Sequence, residues 1–189
     1  PDAVAEFHGN LAVVLSNLGR PAEARPEYER ALALGRAQND HAQLATMLAN
    51  YASSRLDAGD VALATAQLAQ AQLIVASYEM AGSSAGYIAT LQSQCERGAG
   101  RYAAALEWCR RAEAILAERN PSRVPVARLH LAQVWLDLGQ HARALQVLGG
   151  DALAVARRMP ARYAVRWLVL MARVQRRLRQ PVAPLLEEA

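Results

Sequence analysis

A glycine followed five residues later by an alanine recurs at nearly equal intervals at four places in this 189-residue chain. Successive glycines of these pairs are 40, 41 and 39 residues apart. A period of this length restricts the chain to a row of similar small units, because each unit must bury its apolar face against its neighbours. The pairs are Gly19 and Ala24, Gly59 and Ala64, Gly100 and Ala105, and Gly139 and Ala144.

Each unit is predicted to consist of two helices that meet at the glycine. In the first unit Gly19 directly follows an apolar stripe, and this position at the end of a helix favours the left-handed backbone that glycine adopts without strain. Pro21 suits the first turn of the next helix. Ala24 lies one turn further on, where a small side chain lets two antiparallel helices pack closely. The stripe consists of Leu11, Val14, Leu15 and Leu18.

The phase of the repeat gives a map of the whole chain. Ala and Leu dominate the composition and aromatic residues make up only 5% of it, which favours helices over strands. The units are approximately 5–40, 41–82, 83–121 and 122–160, with a truncated unit at 161–189. Gly149-Gly150 is expected to interrupt the eighth helix, and Arg179 stands where the fifth unit should have its glycine. Helices are predicted at about 3–18, 21–37, 41–58, 61–79, 85–98, 101–118, 122–138, 141–158 and 161–179, with another start near 182.

The unit resembles the tetratricopeptide repeat (TPR). The residues that carry the resemblance in the first unit are Leu11, Ala12, Leu15, Gly19, Ala24, Tyr28 and Ala31. The resemblance covers nearly the whole chain and implies an all-α fold, a right-handed α-solenoid of antiparallel helix pairs with about four and a half repeats. It also implies a non-enzymatic scaffold whose first helices line a concave groove for a protein or peptide.

The repeat period suggests a subtype and an alternative function. The period of about 40 residues is longer than the usual 34 of the family. Repeats of this length are similar to those in bacterial LuxR-type and maltose-regulator-like transcription activators and in signalling ATPases. The alternative is therefore a ligand-sensing or autoinhibitory regulatory arm, and because the chain begins at Pro1 we expect it to be a piece of a larger protein.

No catalytic residue and no cofactor are predicted. The chain contains no lysine, which excludes a P-loop lysine and a Schiff-base lysine. The segment 82–86, Gly-Ser-Ser-Ala-Gly, matches the G-x-S-x-G nucleophile elbow. An elbow requires a strand before it, whereas the repeat phase places this segment between two helices. We interpret it as a connector in which Ser83 or Ser84 caps the next helix.

No metal site is predicted either. His130, Asp137 and His141 are close in sequence, but a glycine interrupts the helix between them, so both histidines are interpreted as surface residues beside a turn. Cys95 and Cys109 match no metal or redox spacing and are interpreted as small core residues. Two cysteines do not make a disulfide framework, which favours a cytoplasmic location. No apolar run reaches the length needed to span a membrane.

Polar side chains on the first helices are assigned to the groove by the phase of the family. Asparagine amides there can hydrogen-bond to a peptide backbone. The carboxylate clamp of some TPR domains is not expected, because Gly9, Thr46 or Tyr87, and Leu91 occupy its basic positions. The phase also places His130 in the groove. The candidate partner-binding residues are Asn10, Asn17, Asn50, Ser53, Tyr87, Gln94, Gln133, Arg166, Arg173 and Arg177.

Positive charge is concentrated near the end of the chain. Residues 152–186 contain eight arginines and no acidic residue, whereas residues 1–151 contain thirteen arginines and fifteen acidic residues. Three interpretations remain open: a face that is solvated or covered by a further unit, a dock for an acidic partner segment, and contact with nucleic acid. The last is the least favoured, because no exposed aromatic side chains alternate with the arginines. The truncated fifth unit is expected to leave an apolar end that allows self-association.

Overall fold

The computed structural model of the chain describes residues 2–78, 83–149 and 152–179. The described residues form helices and turns, and no strand occurs among them. A short 3₁₀ turn, Pro121–Arg123, precedes the seventh helix. The helices are α1 (Asp2–Asn17), α2 (Pro21–Gln38), α3 (His41–Asp57), α4 (Val61–Ser77), α5 (Ser83–Gly98), α6 (Tyr102–Arg119), α7 (Val124–Asp137), α8 (His141–Leu148), α9 (Ala152–Arg157) and α10 (Ala161–Arg177).

The helix boundaries agree with the sequence prediction to within a few residues. The predicted break in the eighth helix is confirmed, since α8 ends at Leu148 and α9 begins at Ala152. The further helix expected near 182, and the self-association expected from that end, lie outside the described residues.

The four repeat glycines end their helices in the same way. Each has a positive φ, between 70° and 81°. At Gly19, for example, the glycine N–H donates to the carbonyl of Ser16 at 3.0 Å, and the N–H of Arg20 donates to that of Leu15 at 2.9 Å. This is a Schellman turn, which satisfies carbonyls at the end of the helix. The predicted role of the glycines is therefore confirmed.

Arg179 occupies the same turn position in the fifth unit. Its φ is 54°, and its N–H donates to the carbonyl of Arg176 at 3.2 Å. The fifth copy is thus in phase with the other four at this point, although a side chain in left-handed backbone is strained.

Exchanging the turn residues should shift stability in opposite directions. Gly59→Ala is expected to lower the free energy of unfolding by about 1 kcal/mol, because φ is +81° there and no neighbouring atom lies within 4 Å of an added Cβ, so that only backbone strain changes. Arg179→Gly is expected to raise it by up to about 1 kcal/mol. Urea denaturation of both variants measures this, and the same sign of change in the two would contradict it.

The alanines of the repeat form the contact between the two helices of a unit. Ala24, Ala64, Ala105 and Ala144 are all 0% exposed. The alanines of the first helices, Ala12, Ala52 and Ala132, are equally buried. Small side chains at these positions let the paired helices approach closely, which confirms the predicted packing of antiparallel pairs.

Neighbouring units pack through a first helix and the second helix of the preceding unit. The rings of Tyr28 on α2 and Tyr51 on α3 stack with centroids 4.7 Å apart. Further along, Val134 on α7 lies in one apolar cluster with Ala105 and Cys109 of α6. The apolar surface of each later first helix is thereby covered by the unit before it.

The first helix differs from the later ones at this surface. Val14 is 52% exposed, although it belongs to the stripe expected to pack; Leu18 is 64% exposed, at a position that is also exposed in the fourth unit, where Leu138 occupies it. The position of Val14, five residues before the turn residue, is at most 7% exposed in the other four units. The sequence pattern is the same in all units, but α1 has no preceding second helix among the described residues to cover it.

Candidate peptide-binding face

The first helices of the units form one continuous face. Helices α1, α3, α5 and α7 pack in succession, and α10 packs against α7. We call this surface the first-helix face. It carries two separate regions of concave surface, one towards the amino-terminal units and one at the carboxyl ends of α5, α7 and α10.

The first region, here called the amide groove, consists of two adjoining hollows of about 330 and 360 Å³. They share Thr46, Asn50 and Ser84 as lining residues. The lining combines apolar and polar side chains. The apolar ones include Val13, Met47, Leu116 and Val126. The amide side chains are Asn10, Gln43, Asn50 and Asn120.

One polar atom in the amide groove lacks a partner. The Oε1 atom of Gln43 is buried and accepts no hydrogen bond within the described part of the chain. A buried acceptor without a donor is unfavourable. A change of the Gln43 rotamer that lets this oxygen accept a hydrogen bond from an N–H group of a ligand would therefore be favoured. The arrangement suits a ligand with backbone amides.

The second region, here called the arginine cavity, has a volume of about 1200 Å³. It lies between the last turns of α5, α7 and α10 and also includes His141 at the start of α8. Asp137 is the acidic residue among its lining residues. The arginines that line it are Arg97, Arg173, Arg176, Arg177 and Arg179.

Within the part of the chain that the structure describes, one ion pair offsets the charge of the arginine cavity. The Arg97 guanidinium donates through Nη1 to Oδ2 of Asp137 at 3.0 Å, across one repeat period from α5 to α7. The other four arginines form no ion pair with a carboxylate of the described residues. The carbonyl ends of the helices offset part of this charge. What remains is a concentration of guanidinium groups, which match carboxylates and phosphates in geometry.

His130 lies inside the first-helix face and not on it. Its side chain is 3% exposed, and its Nδ1 lies 3.1 Å from Oε1 of Gln133, which makes Nδ1 the donor. The pKa of His130 is lowered to about 4, chiefly by burial; the hydrogen bond to Gln133 raises it in part, and the nearby charges of Arg97 and Arg166 contribute to lowering it. The interpretation of His130 as a surface histidine is therefore wrong.

The reason is the position of His130 on α7. It lies nine residues before the turn glycine, and the equivalent residues of the neighbouring units, Leu91 and Leu170, are also buried. Proximity to the turn in sequence did not predict this, because the elements packed around the position decide its exposure: Asn10, at the same repeat position in α1, is exposed. His141, which follows the turn, is half-buried and lines the arginine cavity.

A long-range ion pair links the last first helix, α10, to the second, α3. Nη2 of Arg166 on α10 lies 3.2 Å from Oδ1 of Asp57 at the end of α3, although the residues are 109 positions apart. Both side chains are about half exposed, so the pair contributes at most about 1 kcal/mol. The contact shows that the array curls enough to bring the fifth unit to the second.

The ten candidate residues from the sequence are divided between these features. Asn10, Asn50 and Tyr87 line the amide groove, while Gln133, Arg173 and Arg177 line the arginine cavity. Arg166 forms the ion pair just described. Asn17, Ser53 and Gln94 belong to neither lining. Sequence reasoning left out further lining residues, among them Arg176, Arg179, Asn120 and Arg123.

The G-x-S-x-G segment lies at the start of a helix. Ser83 is the first residue of α5, and Gly82 lies outside the described residues, so the predicted cap stays a prediction. The preceding described element is the helix α4, and not the strand that a nucleophile elbow requires. Gly86 has a packing role, because a Cβ there would lie 2.7 Å from Cγ and Cδ2 of Leu116 on α6.

The cysteines are core residues, as expected. Cys95 and Cys109 are free thiols, 0% and 1% exposed. Burial raises the pKa of both thiols, to about 11 for Cys109. In the described ranges no three His, Cys, Asp or Glu side chains are grouped as metal ligands would be. None of the described helices has the length and apolar character to cross a bilayer.

Comparison with known proteins identifies the repeat. Residues 3–72 match the family model of the tetratricopeptide repeat. No curated protein matches the sequence. Two similar crystal structures contain nearly identical TPR-like repeats attributed to a kinesin light chain of Podosopora anserina. The first is 19% identical with a TM-score of 0.71 and covers 99% of this chain and 93% of that chain. The second, a variant of the same protein, is 20% identical with a TM-score of 0.71 and covers 97% and 91%.

At these identities the structural similarity establishes the fold. TPR repeats generally serve as scaffolds for protein–protein interaction. Residues 3–72 match the tetratricopeptide repeat model and the chain has the TPR-like solenoid fold, in agreement with the family resemblance seen in the sequence.

Proposed function

We propose that the chain is a peptide-binding scaffold whose first-helix face is a concave groove for an acidic partner segment. The observation that carries the proposal is the arginine cavity, where four guanidinium groups have no carboxylate partner among the described residues. Like charges brought together at one place repel each other, and an anionic ligand removes this repulsion.

Carboxylate side chains of a peptide fit the cavity well. Arg173, Arg176 and Arg177 project from adjacent turns of one helix, so several carboxylates of one segment can be paired at once. The cavity lining contains no Phe, Tyr or Trp, which leaves nucleic-acid bases without a stacking platform. An acidic peptide is therefore favoured over nucleic acid.

The amide groove supplies the second half of the binding mode. Asn10, Asn50 and Gln43 offer donors and acceptors for a peptide backbone without selecting its side chains. Apolar side chains of the ligand contact the apolar lining around Val13 and Met47. In this proposal the amide groove orients the peptide and the arginine cavity selects acidic sequences.

Three further assignments from the sequence belong to the proposal. The chain is a single array of units at about 5–40, 41–82, 83–121 and 122–160 plus the partial unit 161–189, taken from a larger protein. Its location is cytoplasmic, in keeping with two unpaired cysteines. Asn17, Ser53 and Gln94 are assigned to the groove with the other candidate residues.

Reversing two charges of the cavity should weaken binding of an acidic peptide. A fluorescein-labelled peptide of alternating Glu and Ser is titrated with the chain and followed by fluorescence anisotropy. Arg173→Glu with Arg177→Glu is expected to weaken binding by at least about tenfold, because each charged hydrogen bond contributes about 1.5–3 kcal/mol. The control, Arg110→Glu with Arg119→Glu, reverses two exposed arginines outside both lined regions and should bind as the wild type does.

The same titration contains the result that would overturn the proposal. Equal loss of affinity in both double variants would show that net charge and not the cavity controls binding. Absence of any salt-dependent binding by the wild type would remove the acidic partner altogether.

A regulatory arm that senses a small acidic ligand is the second candidate. The observation that favours it is the volume of the arginine cavity, about 1200 Å³, which exceeds what a small ligand requires. Competition by citrate at low concentration against the labelled peptide would favour this candidate, whereas displacement only by the unlabelled peptide favours the scaffold.

A further inference from the structure

A further pocket lies at the junction between the second and third units, between α4, α5 and α6. Its volume is about 220 Å³. At roughly 30 Å³ for each water-sized group, this is room for about seven non-hydrogen atoms. None of its lining residues belongs to the amide groove or to the arginine cavity, so it is a separate site. We call it the junction pocket.

The junction pocket exists because small side chains stand where the preceding junction has large ones. Ala85 and Ala89 of α5 line the pocket. The same repeat positions of the second unit carry Leu44 and Leu48 of α3, which are buried in the apolar cluster of the first units. Each alanine is smaller than the leucine in the equivalent place, so the space between the helices is left unfilled.

The following junction fills the same place with an ion pair. The repeat positions of Gln72 and Ala89 are occupied there by Glu113 of α6 and Arg128 of α7. Nε of Arg128 lies 2.7 Å from Oε1 of Glu113. At the preceding junction the position of Gln72 carries the buried Leu32 instead. The junction pocket therefore has neither the leucines of one neighbouring junction nor the ion pair of the other.

Two hydrogen-bond donors that line the junction pocket have no acidic partner within the described ranges. Nε2 of Gln72 is buried and forms no hydrogen bond. The Arg111 guanidinium lies over the ring of Trp108, 5.1 Å from its centroid, and is not paired with a carboxylate. Stacking on the indole holds the positive charge beside the pocket. A carboxylate can accept hydrogen bonds from both groups, and it would remove the cost of the buried donor.

The remaining lining is mostly aliphatic and includes Val75, Ile88 and Ile115. A ligand that suits the pocket therefore combines a short apolar body with one carboxylate. We propose that the junction pocket binds a small aliphatic monocarboxylate of about four to six carbons. Its carboxylate accepts from Gln72 and Arg111, and its alkyl chain occupies the space that leucines fill at the preceding junction.

An NMR titration of the ¹⁵N-labelled chain with sodium pentanoate tests the site. The chain has three tryptophans, and only Trp108 lines the junction pocket. Its indole N–H signal, assigned with Trp108→Phe, is expected to shift saturably with a Kd of roughly 0.1–1 mM. The signal of Trp167, which lies in another apolar cluster, should stay in place. Pentylammonium has the same alkyl chain and a positive charge, so it should produce no saturable shift.

Three variants separate the charge of the pocket from its volume. Arg111→Gln is expected to weaken pentanoate binding by about tenfold, because a charged hydrogen bond is lost. Arg110→Gln is the matched control: it changes the neighbouring exposed arginine, which does not line the pocket, and should bind as the wild type does. Ala85→Leu restores the leucine of the preceding junction and should abolish the shift.

The same titrations contain the results that would overturn the proposal. These are the absence of a saturable Trp108 shift in the wild type, an equal shift with pentylammonium, and equal affinity of the wild type and Arg111→Gln. Arg111 is exposed, so its replacement leaves the core intact and this test does not depend on the folding of Ala85→Leu. Unchanged binding by a folded Ala85→Leu variant would show that pentanoate binds elsewhere.

Discussion

Replacing Trp167 with alanine is expected to lower the free energy of unfolding by about 3–5 kcal/mol. Trp167 is 2% exposed and lies in an apolar cluster with residues of α7, α8 and α10. Truncation leaves a cavity between the fourth and fifth units, so the loss includes both the transfer of the indole and the void. Urea denaturation followed by far-ultraviolet circular dichroism measures the effect.

The matched control for this prediction is Phe7→Ala. Phe7 occupies the same repeat position in α1 but is 61% exposed, so its truncation should change stability by no more than about 0.5 kcal/mol in dilute, monomeric protein. Trp167→Phe should cost less than Trp167→Ala, because the indole Nε1 is buried without a partner in the described part of the chain. Similar losses from Phe7→Ala and Trp167→Ala would contradict the stacking described above.

Lowering the pH through the range 6.5 to 4 is expected to destabilise the chain through His130 by roughly 3 kcal/mol. Its pKa is about 4 in the folded chain, where it is buried beside Arg97 and Arg166, whereas a histidine of an unfolded chain titrates near 6.5. Between these values the unfolded chain binds a proton that the folded chain does not. The stability that depends on keeping His130 neutral is therefore fully present above pH 6.5 and decreases as the pH falls to about 4.

The variant His130→Gln isolates this contribution. Glutamine cannot be protonated and is of similar length. The free energy of unfolding that the variant loses between pH 6.5 and pH 4 should therefore be smaller than the loss in the wild type by roughly 3 kcal/mol. An NMR titration of the wild type should give His130 a midpoint near 4. A midpoint near 6.5, or the same pH dependence in wild type and variant, would contradict the buried neutral histidine.

The helices and turns were predictable because they depend on neighbouring residues. Gly59 favours left-handed backbone and Ala64 allows close contact between helices. Both residue types recur at the same positions of the other repeats. Even Arg179 follows the phase, which shows that the surrounding helices impose the turn despite the unfavourable side chain. Local rules repeated at a fixed period thus determine most of this fold.

The exposure of single residues was less predictable because it depends on distant parts of the chain. Val14 and Val134 have the same place in their units, yet Val14 is 52% exposed and Val134 is 0% exposed. Only the preceding second helix distinguishes them. His130 was assigned to the surface for the same reason, since the elements that bury it are remote in sequence.

The candidate site combines residues that no local pattern connects. The repeat phase placed Arg173 and Arg177 on the first-helix face, and both line the arginine cavity. The same phase could not include Arg179, which belongs to a turn and not to a first helix. The pairing of Arg166 with Asp57 depends on the curvature of the whole array, which a repeat sequence does not specify.

A charge-exchange titration tests the proposed function most directly. The chain and its Arg173→Glu, Arg177→Glu variant are each titrated with two labelled peptides, one of alternating Glu and Ser and one of alternating Lys and Ser. We predict that the wild type binds the acidic peptide. The affinity of the variant for the acidic peptide should be at least about tenfold lower, and its affinity for the basic peptide should be higher than that of the wild type. Unchanged preference for the acidic peptide in the variant would contradict the arginine cavity as the binding site.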